Sequence, residues 1–144
     1  MSFTLDVNLL LYASDQSSPL HEEASERLRT VAEGPELVYL FWPVLTSYLR
    51  IATHPSIFEA PLTPADAMDN VERLIDLPHV RSPGEDERFW DAYRAVVDGL
   101  VVRGNLVPDA HLVALMRQYD IPTIWSRDRD LRKFSGIRVH DPFA

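Results

Sequence analysis

The stretch FTLDVNLLLYA, residues 3–13, contains the features that decide the fold. Its first three residues are typical of a short β-strand, and the apolar run over residues 7–13 is typical of the start of a helix. Asp6 stands between the two, at the point where the strand ends. Because ligands bind beyond the carboxyl ends of the strands in α/β sheets, this stretch predicts that Asp6 lies at a ligand-binding edge.

The rest of the chain alternates between short apolar strands and helices that carry an apolar stripe. Further strands are predicted at residues 37–40, 79–81, 122–125 and 137–139. Further helices are predicted at residues 19–31, 43–52, 63–78, 85–102, 108–119 and 129–134. This alternation indicates an α/β fold with a mostly parallel sheet. The length of 144 residues and the lack of repeats or linkers predict one domain over residues 1–144.

The composition excludes several classes of protein. Because the chain has no cysteine, it can form neither a disulfide nor a thiolate metal site. No apolar run approaches the roughly 20 residues needed to cross a bilayer, and the first residues do not resemble a signal peptide. We therefore expect a cytoplasmic protein without a membrane partner.

The charge balance bears on nucleic-acid binding. The chain has 22 acidic and 14 basic residues, a net charge of −8, which disfavours a protein that binds nucleic acid through a basic surface. An acidic nuclease remains compatible with this balance, because bound divalent cations would present the positive charge to the phosphates.

Three acids are predicted to meet at the carboxyl edge of the sheet. Asp6 follows the first strand, Asp128 lies three residues beyond Trp125, and Asp109 lies in the first turn of a helix. If the two strands are neighbours, the three carboxylates converge, and such a group suits hard cations such as Mg²⁺ or Mn²⁺. Taken singly, each acid has another explanation, because carboxylates also cap helices and complement helix dipoles.

Several segments resemble PIN domains. Residues 5–12 (LDVNLLLY) are similar to the opening PIN motif, residues 108–115 (PDAHLVAL) to the Asp-Ala-x-x-x-Ala segment, and residues 124–131 (IWSRDRDL) to the last strand and acidic turn. Residues 49–55 (LRIATHP) and 104–109 (GNLVPD) resemble one branch of the VapC toxins of bacterial toxin–antitoxin pairs. Order, spacing and length also match over nearly the whole chain.

The resemblance implies a fold and a reaction. It implies a three-layer α/β/α sandwich and an endoribonuclease that uses Mg²⁺ or Mn²⁺, in which a metal-activated water cuts a phosphodiester and leaves a 3′-hydroxyl and a 5′-phosphate. It also implies a homodimer and a VapB-like antitoxin that can insert an arginine among the acids. The catalytic and metal-binding positions of the family are matched by Asp6, Asp109 and Asp128.

Supporting positions can be assigned in the same way, with one departure. Asn8 and Ser126 match the polar support positions of the family, and Asp130 is a further outer-shell candidate. Where the family commonly has a glutamate after the second strand, this chain has Ser47. The departure leaves the number of metal ions open and favours an alternative, a catalytically impaired PIN fold that binds RNA or protein.

Other side chains are weaker candidates. Four arginines are candidates for RNA contact, although the basic segment after the last acidic turn is equally compatible with a solvated helix; they are Arg50, Arg103, Arg127 and Arg129. The aromatic residues Trp42, Trp90 and Trp125 are expected in the core rather than as base-stacking platforms. A phosphatase of the haloacid-dehalogenase type is disfavoured, because it needs a second aspartate where this chain has Asn8.

Overall fold

The computed structural model describes all 144 residues as one sheet between layers of helices. The strands are β1 (Ser2–Leu5), β2 (Leu37–Tyr39), β3 (Val80–Arg81), β4 (Thr123–Trp125) and β5 (Arg138–His140). The α-helices are α1 (Val7–Ser14), α2 (His21–Glu33), α3 (Trp42–Ala52), α4 (Pro64–Ile75), α5 (Phe89–Val97) and α6 (Leu106–Gln118). A 3₁₀ helix spans Arg129–Lys133. No helix is both long enough and apolar enough to span a membrane.

The sheet is parallel throughout, with strand order β3-β2-β1-β4-β5. From β1 the chain moves outwards to β2 and β3, and then crosses back to β4 and β5 on the other side of β1. Because crossovers between parallel strands are right-handed, this reversal places α1–α4 and α5–α6 on opposite faces of the sheet. The predicted α/β/α sandwich is therefore confirmed, with β1 at its centre.

Helix α6 is the most deeply buried helix of the core. Five consecutive residues, 112–116, are buried, and the helix packs against α5 and the 3₁₀ helix. They belong to a cluster of 29 buried apolar residues that also includes Leu5 and Ile124 of the central strands. A helix enclosed in this way gives a rigid support to the side chains of its first turn.

The structure corrects the predicted boundaries of α5 and α6. The helix expected over residues 85–102 is α5, which covers only Phe89–Val97, because Glu85 is drawn to His111 and Asp86 accepts a hydrogen bond from the Arg88 backbone. Its other end comes where Gly99 adopts a φ of 77°, a conformation open to glycine. Helix α6 begins two residues before the expected Pro108, since a first-turn residue needs no backbone N–H.

The expectation that the tryptophans lie in the core is only partly correct. Trp125 is partly buried and stacks on Phe3, with ring centroids 4.6 Å apart. In contrast, Trp42 is 43% exposed and Trp90 is 63% exposed. Trp42 donates its indole N–H to the Ser82 carbonyl from the first turn of α3, whereas Trp90 projects from the outer side of α5. Their positions on the outer sides of helices explain this exposure.

Candidate active site

The ends of β1 and β4 form the point at which the sheet changes its direction of winding. Connections leave these two neighbouring strands towards opposite faces, which opens a crevice beyond their carboxyl ends. Leu5 pairs with Trp125, so the residues that follow the two strands are neighbours. The backbone N–H of Asp6 donates to the Trp125 carbonyl at 3.0 Å. The topology therefore brings Asp6 and Ser126 to the same place.

Hydrogen bonds connect the acids that follow these strands. The Ser126 hydroxyl donates to Asp6 Oδ2 at 2.7 Å and accepts from the Asp128 backbone N–H at 2.9 Å. Asp6 Oδ1 accepts from the Val7 N–H at 2.7 Å, and Asp128 Oδ1 accepts from the Asp130 N–H at 2.9 Å. Asp6 and Asp128 are thus helix caps, as the alternative explanation proposed, and they also converge.

Helix α6 contributes Asp109 from its first turn to the opposite side of the crevice. Carboxylate oxygens of Asp109, Asp128 and Asp130 lie within 4.8 Å of one another. A cavity of about 230 Å³ includes Asp6, Asp109 and Asp128 in its wall, together with Asn8 and apolar residues such as Leu112. The three acids predicted to converge do share this cavity.

The electrostatics of the crevice reflect an excess of negative charge. The pKa of Asp109 is raised to about 7, first by burial and then by the three neighbouring carboxylates. The positive charge of Lys133 opposes this rise. Burial also raises the pKa of Asp6, but the hydrogen bonds from Ser126 and Val7 act in the opposite direction. Oxygen ligands with little compensating charge are a donor set that fits Mg²⁺ or Mn²⁺.

Comparison with known proteins identifies the family. The sequence-family model of the PIN domain matches residues 3–137 of this chain. Ribonuclease VapC48 of Mycobacterium tuberculosis is 54% identical over 144 residues, which are 100% of this chain and 99% of the relative. The chain belongs to the VapC branch of the PIN-domain family.

Solved structures of the PIN-domain family share the fold. VapBC2 from Rickettsia felis, bound to a DNA fragment from its promoter, aligns with a TM-score of 0.67 at 11% identity and covers 97% of this chain and 98% of that one. VapC20 of Mycobacterium tuberculosis, described as a toxin that cleaves the sarcin–ricin loop, aligns with a TM-score of 0.63 at 20% identity, over 94% and 98% of the two chains. At these identities, the likeness confirms the PIN fold.

The supporting residues expected for a PIN domain lie near the three acids. Asn8 and Ser47 line the same cavity, and Ser126 is buried between two of the acids. Asp130, predicted as an outer-shell residue, belongs to the compact group of carboxylates around Asp109. Asp6 is not a member of that group. The apolar side of the cavity was not predicted. The spacing of three between Asp109 and Leu112, which places both on one helix face, is the signal for it.

None of the four arginines predicted to contact RNA lines this cavity. The Arg127 guanidinium lies 3.9 Å from an Asp141 carboxylate oxygen and over the Phe143 ring. Arg129 is exposed at the start of the 3₁₀ helix. Exposed positions are also occupied by Arg50, in the last turn of α3, and by Arg103, before α6. All four are accessible to a large ligand that extends beyond the cavity.

Proposed function

We propose that this protein is a VapC-type endoribonuclease, the toxin of a type II toxin–antitoxin pair, with Mg²⁺ or Mn²⁺ held by Asp6, Asp109 and Asp128. The observation that carries the proposal is the meeting of these carboxylates at one cavity beyond β1 and β4. It occurs in a chain that is 54% identical over its full length to a VapC ribonuclease. The proposal treats residues 1–144 as one catalytic domain.

The side chains of the cavity have distinct tasks in this proposal. Ser126 orients Asp6 and the backbone of Asp128, so these two carboxylates are held in place before any ligand arrives. The pKa of Asp109 is raised to about 7, so a proton and a divalent cation would compete for this carboxylate near neutral pH. A bound divalent cation supplies Lewis-acid chemistry, since it acidifies water and offsets negative charge on the phosphate.

RNA extending from the cavity would meet the exposed cations around it. Arg127 and Arg129 follow β4 on the side of Asp128, and we propose them as phosphate contacts together with Arg50 and Arg103. The rest of the recognition would depend on the shape of an unpaired RNA segment. An overall charge of −8 makes such local cations the main source of attraction besides the bound metal.

The proposed partners follow from the same cavity. A VapB-like antitoxin that inserts an arginine would neutralise the acids with a planar, permanently charged group. The neighbour from Rickettsia felis is named as a VapBC complex, which supports a partner of this kind. We also propose a homodimer and a cytoplasmic location, as expected for a toxin that acts on cellular RNA.

The proposal is tested by cleavage of structured RNA with Mg²⁺ or Mn²⁺. We expect cleavage by the wild type to fall at least 100-fold in Asp6→Ala and Asp109→Asn, about the loss of 3 kcal/mol of transition-state stabilisation. Asp66→Asn is the matched control, because Asp66 also lies in the first turn of a helix but is exposed on α4. Equal cleavage by the wild type and both site variants would refute the catalytic assignment.

An impaired PIN fold that binds RNA or protein is the second candidate, and the uncharged Ser47 in the cavity wall favours it. The same experiment separates the two candidates. A binding module would shift RNA in an electrophoretic mobility assay, and the shifted fraction would increase with protein concentration. It would cleave no RNA at any concentration of Mn²⁺. An enzyme would convert the bound RNA to product.

A further inference from the structure

Lys133 is the only lysine in the chain. It lies at the edge of the carboxylate group formed by Asp109, Asp128 and Asp130. Its Nζ is 3.1 Å from Asp130 Oδ1. Asp130 in turn contributes an oxygen to the group that includes Asp109 and Asp128. The 3₁₀ helix explains the pairing, because its three residues per turn place residues three apart on the same side. The ammonium is thus separated from the other two acids by a single carboxylate.

No other cationic side chain forms an ion pair with this group. Arg127 pairs with Asp141, and Arg88 pairs with Asp86 near α5. Arg132 is exposed and makes no ion pair, although it is adjacent to Lys133. Lys133 is also the one cation that lowers the pKa of Asp109, against the three carboxylates that raise it. Geometry and electrostatics agree that Lys133 is the resident positive charge of the cavity edge.

We propose that Lys133 sets the divalent-ion capacity of the cavity, because its pairing with Asp130 leaves one ion to be bound by Asp6, Asp109 and Asp128. The inference rests on the proposed function, which supplies the metal. Two adjacent divalent cations repel each other and need several carboxylates around and between them. Lys133 neutralises Asp130, which is one of the four available acids. At Ser47, the cavity wall has a hydroxyl in place of a further carboxylate.

The pairing limits metal binding without blocking it. Lys133 and Asp130 are both about half exposed, with side-chain exposures of 56% and 51%. An exposed ion pair is worth little by itself and is readily exchanged for solvent or another cation. Lys133 therefore acts as a competitor of the divalent cation for the Asp130 carboxylate.

The inference is tested by titrating the protein with Mn²⁺. Calorimetry measures the heat of binding, and electron paramagnetic resonance measures the free ion. We expect the wild type to bind one Mn²⁺. Lys133→Met should bind a second ion, or bind the first about tenfold more tightly, because the Asp130 carboxylate that pairs with Lys133 in the wild type becomes free to support the ion. Lys133→Arg should bind Mn²⁺ as the wild type does. Arg132→Met removes a positive charge from the adjacent residue, and its Mn²⁺ affinity should stay within about twofold of the wild-type value.

A double-mutant cycle identifies Asp130 as the intermediary. In Asp130→Asn, the additional change Lys133→Met should have little effect on Mn²⁺ binding, because the carboxylate that it would release is absent. Identical Mn²⁺ isotherms for the wild type and Lys133→Met would overturn the inference. An equally large effect of Lys133→Met in Asp130→Asn would also overturn it, because the lysine would then act only through its long-range charge.

The two proposals fail in different ways. If Lys133→Met changes Mn²⁺ binding as expected but no RNA is cleaved, the proposed enzymatic function fails and the role of Lys133 stands. If RNA is cleaved and Lys133→Met has the same Mn²⁺ isotherm as the wild type, only the inference about Lys133 fails. If neither the wild type nor Lys133→Met binds Mn²⁺, both are wrong.

Discussion

The two sides of the acidic cavity compensate their charges in different ways. The strand side, Asp6, Ser126 and Asp128, is connected by hydrogen bonds of 2.7 and 2.9 Å. The helix side, Asp109 and Ser47, has no side-chain hydrogen bond to the rest of the protein. Both sides carry buried or half-buried charge, yet only Asp109 has its pKa raised as far as about 7.

The two sides differ in how much of their negative charge the protein itself compensates. Hydrogen bonds on the strand side offset part of the free-energy cost of removing Asp6 from water, and they fix its orientation. On the helix side, only the charge of Lys133 opposes the burial and repulsion that raise the pKa of Asp109, and a bound cation or a proton would relieve them further. We infer that the strand side provides the framework of the site and the helix side provides its response to metal and pH.

The largest effect is expected on the strand side, from Ser126→Ala. This change removes the donor to Asp6 and the acceptor for the Asp128 N–H in a place where Ser126 is only 3% exposed. Leaving buried polar groups without partners should lower the free energy of unfolding by about 2–3 kcal/mol. Thermal unfolding of the metal-free protein should show the loss as a decrease in Tm of roughly 5–10 °C.

Ser82→Ala provides the matched control for Ser126→Ala. The Ser82 hydroxyl is buried as well, but it makes no hydrogen bond within the protein. Its removal should therefore be neutral or slightly stabilising. Equal losses of stability in both variants would mean that the hydrogen bonds of Ser126 do not distinguish the strand side from any other buried hydroxyl.

A smaller effect of opposite sign is expected on the helix side, from Asp109→Asn. Removing this poorly compensated charge should raise the free energy of unfolding of the metal-free protein by about 1 kcal/mol at pH 8, a value reduced from the full pKa shift because Asp109 is only half-buried. Chemical denaturation with and without Mn²⁺ measures it. With saturating Mn²⁺ the order should reverse, because the wild type then gains binding free energy that the variant has lost.

The pH dependence of this difference has a defined sign. The pKa of Asp109 is about 7 in the folded protein and near its ordinary value of 3.8 in the unfolded chain. The folded state therefore binds the proton more tightly, and stability falls as the pH rises from about 4 to about 7. The advantage of Asp109→Asn should be absent near pH 4 and complete above pH 7. An advantage that is constant with pH would contradict this account.

Much of the fold could be predicted because its signals are local. The strand–acid–helix stretch at residues 3–13 and the apolar stripes specify elements whose type does not depend on distant contacts. The start of the predicted helix at residues 85–102 could not be found in this way. Glu85 leaves the helix because it reaches His111 on α6, a contact that exists only once α5 and α6 have packed together.

The sequence indicated the candidate acids, but it made their convergence depend on which strands are neighbours. Asp6, Asp109 and Asp128 were identified from their places after strands and at a helix start, but their convergence required β1 and β4 to be neighbours. Asp130 reaches the group because residues 129–133 form a 3₁₀ helix, whose tighter turn no local pattern indicated. The raised pKa of Asp109 depends on burial by the whole domain, which periodicity does not measure.

The smallest effect is expected from Ser47→Ala, which examines the other member of the helix side. The Ser47 hydroxyl lines the cavity but donates no hydrogen bond to the protein, so its loss should change the free energy of unfolding by less than about 0.5 kcal/mol. Mn²⁺ affinity, measured by the same titration as for Lys133, should stay within about twofold. A fall in Mn²⁺ affinity of tenfold or more would mean that Ser47 supports the ion through its hydroxyl. The helix side would then contain an organised ligand shell of its own, and the contrast with the strand side would be one of degree.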